Sequence, residues 1–514
     1  MRKIISCSIF LALCNLAICT IRTVPTDFST IPSALSASSP HDTVLVLPGD
    51  YQVNTTLSNS ITICSNWIFS GDTNEINSTR IGSDTGKIFY PTNDTISFQG
   101  LTFHAVGVPV RGRGVLYQNP NNPSWIKMDH CKVNGSFDTA GTTLISASRV
   151  NLRNFVFIDD SIGKNEFMYA PKLSILSSSF FFSGTDPFQE NFYIPESLYC
   201  ADSYFTSYRE LFDVTGWTTI THCTFDNMGS WIFLASQNST IPTQVISNCN
   251  FNHCVAQGQE SLFLSESPNV HFNHCSFTNC LSRVGTTSIF YNGSENSMIY
   301  VSNCVFQDNS SSVICFASNA LHIDSTRFIN NSSPIISPEY SPNGTIQISY
   351  SDFIGNSQFV QGSQSPYTIF VPNCFWGDST GPQHSLNPTG QGMPLPDYAN
   401  PFPFRTSPVF PIDGVSEHSI SYSLPNTIEL LPAYPNPFNS TVTIRYSLPR
   451  AEPVVVTVWN ELGQLVTTLN GPQPQSAGVH SLRWSPAVLA TGKYYVRASS
   501  RSVASKVIAV TYLR

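Results

Sequence analysis

Charged residues and long apolar runs are both scarce in this sequence. Lys, Arg, Asp and Glu together make up 11% of its 514 residues, and the formal net charge at pH 7 is −8. An acidic chain of this kind disfavours nucleic acid as a partner. No internal stretch of about 18 or more apolar residues is present, so we expect no transmembrane span. No glycine-rich phosphate-binding loop is found either, and we expect no cofactor.

A short phrase recurs along the chain every 20 to 30 residues. It reads Ile-Ser-Asn-Cys-Asn-Phe at 246–251, Phe-Asn-His-Cys-Ser-Phe at 272–277 and Val-Ser-Asn-Cys-Val-Phe at 301–306. Self-similarity with this period is typical of a solenoid, and the unit suits one coil of parallel β-strands. The last apolar residue of each copy should lie in an internal stack. We place it at Phe103, Val133, Phe157, Phe181, Phe205, Phe225, Phe251, Phe277, Phe306, Phe328, Phe353 and Phe375.

Alternation within the phrase predicts a sharp corner between two strands. In one copy the apolar positions are Val270, Phe272, Cys275 and Phe277. Apolar residues alternate with polar ones within each of two short strands, and one extra residue joins the two strands. A positive φ at the extra residue favours Asn, Asp and His. Coils stack about 4.8 Å apart, which would align these residues, with Asn248 among them, in a polar ladder. The corner slot holds His130, Asn154, Ser178, Asp202, His222, Asn248, His274, Asn303, Ser325 and Tyr350, of which Tyr350 does not fit.

Both ends of the solenoid carry segments that would cover an exposed sheet edge. Residues 28–51 predict a short helix, capped by Ser29 or Thr30, and then a first strand. This start resembles the amphipathic cap of extracellular right-handed β-helix proteins, and residues 373–382 resemble their closing coil. The resemblance implies an all-β, right-handed parallel β-helix, which we assign to residues 20–405.

The N-terminus has the pattern of a secretory signal peptide. Arg2 and Lys3 precede an apolar run that ends at Cys19, and we expect cleavage there, so that residues 1–19 are removed. The four residues that end at Cys19 form a poor lipobox, because Ile18 stands where a small residue is required. Lipid anchoring is therefore the less favoured alternative.

Cysteine is unusually frequent inside the repeat. Three of the 14 Cys fall in the signal peptide, and the other 11 are an odd number, so at least one cannot pair within the chain. Most recur at two fixed positions of the coil and are expected in the core as small apolar side chains. Export and the coil spacing leave inter-coil disulfides open, Cys254–Cys280 among them. The first position holds Cys131, Cys223, Cys249, Cys275 and Cys304, and the second holds Cys254 and Cys280.

The composition changes after a Pro/Ser-rich linker, which we place at residues 406–427. Residues 428–514 contain eight Lys or Arg and three Glu, a net charge of +5, which leaves −13 for residues 1–427. Short strands alternate with turns here, for example at 441–446 and 454–459. This spacing predicts a small immunoglobulin-like β-sandwich.

Ordered motifs in residues 428–514 resemble the type A C-terminal sorting domain of the type IX secretion system. A Tyr-Pro-Asn-Pro-Phe-Asn sequence is followed by Asn-Glu-Leu-Gly-Gln and by a basic last strand. The resemblance implies export across a Gram-negative outer membrane, with the type IX machinery as partner, and secretion or surface attachment. A related module of flagellar hook-capping proteins is the alternative. The sorting-motif residues are Tyr434, Pro435, Asn436, Pro437, Phe438, Asn439, Gly463 and Lys506.

Candidates for enzyme chemistry are few. Residues 125–131, Trp-Ile-Lys-Met-Asp-His-Cys, resemble a Trp-Ile-Asp-His stretch of pectate lyases, but two inserted residues break the match and no Arg-x-Pro-x-x-Arg follows. His130 also occupies the corner slot. Glycoside hydrolysis requires two carboxylates, and Asp159 and Asp160 are the adjacent pair of the solenoid. We favour a turn for Asp159, since later coils fill that slot with Asn227, His253, Asn279, Asp308 and Asn330.

One cluster of potential metal ligands stands out. Its paired Cys spacing follows from the repeat, and four residues separate the Cys of each pair, at the upper end of the usual zinc spacing, so we favour a core ladder over a metal site. The cluster consists of Cys249, Cys254, Cys275, Cys280, His253, His271 and His274.

The sequence thus predicts a secreted or surface-displayed β-helix that binds or adheres to a glycan or another extended ligand, with no assigned catalytic, cofactor or metal residue. The alternative is a polysaccharide lyase or glycoside hydrolase without a recognised motif. A ring of carboxylates with Arg or Lys on one face would favour the enzyme. An aromatic groove without that ring would favour binding.

Overall fold

The computed structural model describes most of the chain in separate ranges. They are residues 19–83, 87–92, 94–105, 114–117, 124–134, 144–159, 168–182, 192–207, 211–229, 232–235, 244–256, 261–265, 269–282, 288–292, 298–310, 312–316, 320–338, 345–360, 368–410, 428–434, 438, 442–448, 452–460, 464–475, 478–486, 489–500 and 507–512. Residues 1–18 of the predicted signal peptide and most of the predicted linker lie outside these ranges. The chain divides into two compact units, Met1–Pro411 and Ile412–Arg514.

The first unit is a solenoid of three parallel sheets, because each coil contributes a strand to each sheet in turn. Every strand pairs with its equivalent in the next coil, in parallel and in register. In the described residues sheet 1 has 16 strands, namely Ile21–Val24, Thr43–Val46, Ile61–Ser65, Thr95–Gln99, Trp125–Asp129, Arg149–Arg153, Lys172–Leu176, Ser197–Ala201, Trp217–Thr221, Gln244–Ser247, Asn269–Asn273, Met298–Ser302, Ala320–Asp324, Thr345–Ser349, Thr368–Phe370 and Ala399–Asn400.

Sheets 2 and 3 complete the coils and are built in the same way. The described part of sheet 2 consists of Gly49–Gln52, Thr79–Ser83, Thr102–Ala105, Lys132–Asn134, Val156–Asp159, Ser179–Phe182, Tyr204–Ser207, Thr224–Asp226, Asn250–Asn252, Ser276–Thr278, Val305–Gln307, Arg327–Ile329 and Asp352–Ile354. That of sheet 3 consists of Thr55–Leu57, Lys87–Pro91, Gly114–Tyr117, Ile145–Ser146, Met168–Tyr169, Phe192–Ile194, Phe212–Val214, Phe233–Ala235, Phe263–Ser265, Ser288–Asn292, Ser312–Phe316 and Ile336–Pro338. Two short strands from successive coils, Val255–Ala256 and Leu281–Ser282, pair in parallel. Along the chain, each lies between the sheet 2 strand and the sheet 3 strand of its coil.

A helix follows the first strand of the solenoid, as part of its N-terminal cap. It spans Ile31–Ser36 and begins at Thr30, whose hydroxyl accepts a hydrogen bond from the Ser33 N–H at 3.2 Å. The predicted helix and its Thr30 cap are confirmed. The expectation that the first strand follows the helix was wrong, because Ile21–Val24 already pairs with Thr43–Val46. Two further helices span Trp67–Ser70 and Thr73–Ser78.

Stacked aromatic rings fill the solenoid interior, and the predicted Phe stack is confirmed. Phe251, Phe277, Phe306 and Phe328 are fully buried, with centroids of consecutive rings 4.6, 4.8 and 5.2 Å apart. The stack runs without interruption through Phe180, Phe205, Phe225, Phe251, Phe277, Phe306, Phe328, Phe353 and Trp376.

The prediction was wrong by one residue at two positions of the stack. Phe180, not Phe181, pairs with Phe157 and packs on Phe205, whereas Phe181 lies on the outer side. At the closing coil Trp376 takes the position that we assigned to Phe375, and its ring stacks on Phe353 at 4.5 Å. Runs of adjacent aromatic residues satisfy the alternation in either register, so the pattern alone could not choose.

The predicted corner geometry is present along the solenoid. His130, Asn248 and His274 have φ of 52–53°, and Tyr350, which did not fit the pattern, has φ 48°. Ser177 rather than Ser178 has the positive φ of 49°, for the same register reason as Phe180. The other predicted corners, at Asn154, Asp202, His222, Asn303 and Ser325, also have φ between 48° and 53°.

A hydrogen-bonded amide ladder forms, but at a different position from the corner slot where we expected it. Each coil has a second turn after its sheet 2 strand, with positive φ at residues such as Asp308 and Asn330. Buried Asn309 and Asn331 come directly after these residues, and the Asn309 amide donates to the Asn331 Oδ1 at 3.0 Å. Asn331 in turn donates to Asn356 Oδ1 at 2.8 Å and to the Phe306 carbonyl at 3.0 Å. An inward amide reaches both the next coil and the backbone, whereas corner side chains such as that of Asn248 are exposed to water.

The second unit is built of antiparallel strands around its own core. In the described residues one sheet consists of Glu429–Tyr434, Val442–Leu448 and Gly478–Trp484. The other consists of Leu465–Gln475, Glu452–Asn460, Gly492–Ser500 and Ile508–Tyr512. Both sheets contribute to one buried cluster, which includes Ile444 and Val456.

A candidate ligand-binding face on sheet 1

The outer face of sheet 1 is a regular array of side chains, because register-matched strands place equivalent residues side by side. The central outward position lies three residues before each corner. From the strand Ser197–Ala201 onward it holds Tyr199, Thr219, Val245, His271, Tyr300, His322, Gln347 and Phe370. Outward aromatic side chains on this face are well exposed, at 46% for Tyr199, 63% for Trp217 and 46% for Phe370.

Three of these side chains form a stacked platform. The ring centroids of His271 and Tyr300 are 4.3 Å apart and those of Tyr300 and His322 are 5.3 Å apart, with interplanar angles of 20° and 11°. Burial lowers the pKa of His271, so its imidazole is neutral at pH 7. We call Tyr199, Trp217, His271, Tyr300, His322 and Phe370 the aromatic row.

A second cluster lies on the same face in coils closer to the N-terminus. The Trp125 ring is flanked by Lys127 Nζ at 4.0 Å from its centroid and by Arg149 Cζ at 4.2 Å. Both contacts fall in the cation–π range, which orders the two cations on the indole. Arg153 and Lys172 follow on the next strands and are exposed, with Lys172 Nζ 3.2 Å from Glu196.

The Asp129–His130 pair has a structural explanation. Asp129 Oδ1 lies 2.7 Å from His130 Nδ1 and accepts a hydrogen bond from Asn154 Nδ2 at 3.1 Å. Burial opposes ionisation of Asp129, but these hydrogen bonds outweigh it and lower the pKa of this carboxyl. The His130 ring also stacks on Trp67 at 4.1 Å. An ionised carboxylate that is held in this way beside a corner stabilises the turn and has no proton to give as a general acid.

Carboxylates do not cluster on the strands of sheet 1. Asp129 and Asp324 are the two that its described strands contain, and they are eight strand spacings apart, about 38 Å. Glycoside hydrolysis requires a separation of about 5–9.5 Å. Asp324 is engaged by the hydroxyls of Ser325 at 2.8 Å and Ser349 at 2.7 Å.

The other acidic candidate does not occupy the predicted turn. Asp159 is the last residue of the strand Val156–Asp159, where Phe182 is its partner in the next coil. The turn assignment for Asp159 was wrong, because this coil extends its strand by one residue relative to Asn250–Asn252. Asp160 lies outside the described residues.

The potential metal ligands singled out in the sequence do not come together in one site. Cys249 and Cys275 are buried neighbours in one column of the core, as are Cys254 and Cys280 in another, which confirms the predicted columns. His253 and His274, in contrast, are exposed corner residues. The ten buried cysteines of the described residues are unpaired thiols, and burial raises the pKa of Cys131 to about 12. No group of three or more His, Cys, Asp or Glu suited to a metal ion occurs in these residues.

Only two of the predicted sorting-motif residues fall in the described part of the second unit. Phe438 is buried against Trp484 and Tyr512, with centroids 5.5 and 5.2 Å away, and its N–H donates to the Thr511 carbonyl at 2.9 Å. Tyr434 is the last residue of the strand Glu429–Tyr434. The others, Pro435, Asn436, Pro437, Asn439, Gly463 and Lys506, lie outside the described residues.

The aromatic row was not found from the sequence. It could have been, because each central member stands three residues before a corner residue, as His271 does before His274 and Tyr300 before Asn303. Outward positions vary in polarity, so they add nothing to the apolar pattern that defines the repeat.

Comparison with known families agrees with both parts of the architecture. Residues 211–375 match the family model of the "Right handed beta helix region". Residues 432–510 match that of the "Secretion system C-terminal sorting domain". The chain therefore joins a right-handed β-helix to a sorting domain of the type IX secretion system, which indicates a secreted or cell-surface protein.

A solved structure, the catalytic domain of a GH87 alpha-1,3-glucanase in complex with nigerose, is similar to this chain. The identity is 9%, the TM-score is 0.43, and the match covers 68% of this chain and 67% of that chain. No curated protein matches the sequence. Among the described residues, no helix has the length and apolar character needed to span a membrane.

Proposed function

We propose that the solenoid is a glycan-binding or adhesive passenger that the type IX machinery delivers to the outer-membrane surface or the medium. The carrying observation is the aromatic row, which offers flat rings, exposed or half-buried, on one face of a sheet. Sugar rings present apolar faces that pack on aromatic side chains, while the hydroxyls of Ser and Thr nearby can accept or donate hydrogen bonds. The scattered carboxylates of sheet 1 favour binding over hydrolysis.

The second unit fits the same proposal as the export signal. Its two antiparallel sheets share one core, which supports the immunoglobulin-like β-sandwich predicted from its strand spacing. Under this proposal residues 1–19 direct the first export step, and the Pro/Ser-rich segment 406–427 connects passenger and signal.

A glycan array of the purified protein tests the binding proposal. We expect selective binding to an extended glycan, and we expect the double variant Trp217→Ala/Tyr300→Ala to bind it about tenfold or more weakly, since two stacking surfaces are removed. Phe69→Ala is the matched control, because Phe69 is 62% exposed but belongs to the helix Trp67–Ser70.

Two outcomes would contradict the binding proposal. Equal affinity of the double variant and the wild type would show that the aromatic row is not the site. Release of reducing ends from a bound polysaccharide would instead identify an enzyme and require a catalytic pair elsewhere on the solenoid.

A further inference from the structure

We propose that the outer face of sheet 1 carries, at its N-terminal end, a cationic cradle that selects an anionic polysaccharide. The cradle consists of Trp125, Lys127, Arg149, Arg153 and Lys172. This inference rests on the proposed glycan binding and names the class of glycan.

The cradle is positively charged, whereas the rest of the solenoid is acidic. Its four cations lie on three consecutive strands, Trp125–Asp129, Arg149–Arg153 and Lys172–Leu176. From Ser197–Ala201 onward, the described strands of sheet 1 contain no Lys or Arg. Residues 1–427 as a whole have a net charge of −13. A local reversal of sign on one face is the pattern that attracts and orients an anionic ligand.

The cations remain available to a ligand. Lys127 and Arg149 rest on the Trp125 ring at 4.0 and 4.2 Å, a contact that leaves their N–H donors free to bind anions. The carboxylate of Asp129, on the strand of Lys127, is held by His130 and Asn154, and it also attracts Arg153, its neighbour on the next strand. The Lys172–Glu196 pair is more than half exposed on both sides, so water and salt weaken it.

Two buried polar atoms, one in the cradle and one beside it, lack partners among the described residues. They are the indole Nε1 of Trp125, a donor, and Oδ1 of Asn151, an acceptor on the adjacent strand. Buried polar groups are nearly always hydrogen-bonded, so these two point to an occupant that carries hydroxyl groups beside the acidic groups that the cations attract. A polysaccharide with carboxylate or sulfate groups supplies both.

The geometry favours a polysaccharide over nucleic acid. Charged side chains recur along the sheet at the coil spacing of about 4.8 Å. The ring of Trp125 lies between two of them, Lys127 and Arg149. Nucleic acid carries a higher charge density, and the acidic remainder of the solenoid would repel it as it extended beyond the cradle.

Equilibrium binding of the full-length protein to three polymers tests the proposal. The probes are heparin, which is sulfated, polygalacturonate, which is carboxylated, and dextran, which is neutral. We expect Lys127→Gln/Arg149→Gln to weaken binding to an anionic polymer by about tenfold or more, because two charge-assisted contacts are lost. Lys132→Gln is the control, since Lys132 has the same charge in the same coil but faces outward from sheet 2.

The outcomes distinguish a failure of the cradle proposal from a failure of the glycan-binding proposal on which it rests. Binding to dextran or another neutral glycan, unchanged in the double variant, would overturn the cradle and leave glycan binding intact. Equal losses in the double variant and Lys132→Gln, or equal binding of duplex DNA, would show a general polyanion effect and also overturn it. Binding to none of these polymers, nor to any glycan on the array, would overturn both proposals.

Discussion

Tyr350 shows that the corner conformation is dictated by the coil rather than by the residue that occupies it. A left-handed conformation costs a non-glycine residue about 1–2 kcal/mol, which is why Asn, Asp and His fill most corners. Tyr350 adopts φ 48° nonetheless, between the corners of Ser325 at 50° and Asn373 at 57°. Parallel pairing on both sides fixes the backbone there and offsets the local strain.

The register of the Phe stack can be tested with two adjacent residues. Phe180 is fully buried between coils, whereas Phe181 lies on the outer side near Tyr204. Phe180→Ala should lower the free energy of unfolding by about 3–5 kcal/mol, because it leaves a cavity in the core. Phe181→Ala should cost less than about 1 kcal/mol. Chemical denaturation of both variants measures the difference, and a reversed order would contradict the register described above.

At the scale of elements, each turn of the coil is stabilised by the inward-facing residue that directly follows the positive-φ residue. The first inner position holds thiols and hydroxyls, such as Cys249, Cys304 and Thr326, and the Thr326 hydroxyl accepts a hydrogen bond from the Cys304 N–H at 3.4 Å. The second holds Cys254, Cys280 and then the asparagine ladder. Small side chains fit there because the backbone turns sharply around them.

The asparagine ladder should contribute more stability than its exposed neighbours. Asn331→Ala removes the partners of the Phe306 carbonyl and of the Asn309 N–H inside the solenoid, so we expect a loss of about 2–5 kcal/mol in the free energy of unfolding. Gln347→Ala, on the exposed outer face of the neighbouring coil, should change it by less than about 0.5 kcal/mol. Urea denaturation measures both losses. Similar values would mean that water replaces the ladder without penalty.

Periodicity explains how much of this fold was accessible from the sequence. Cys, Phe and a corner residue at fixed offsets were enough to predict the coils around Phe251 and Phe277. The same pattern failed in the run Ser-Ser-Ser-Phe-Phe-Phe at 177–182, where either register buries apolar residues. The candidate ligand-binding face was not predicted, because residues such as Trp125 and Arg149 come together only through pairing between coils that lie 24 residues apart.

At the scale of the whole molecule, the two units differ in charge and in architecture. The parallel solenoid is acidic, while residues 428–514 are basic and antiparallel. Each unit has its own buried core, the larger including Phe277 and the smaller including Phe438. Separate cores are what the proposed passenger and export signal require if each is to fold by itself.

The central claim is that the second unit exports the first, and fractionation of a truncated chain tests it most directly. In a host with type IX machinery, the chain that ends at residue 427 should fold, as shown by its circular dichroism and resistance to protease, and should remain in the periplasm. Residues 428–514 fused to an unrelated passenger with a signal peptide should bring that passenger to the surface. Surface delivery of the truncated chain would contradict the account and favour a structural, hook-cap-like role for residues 428–514.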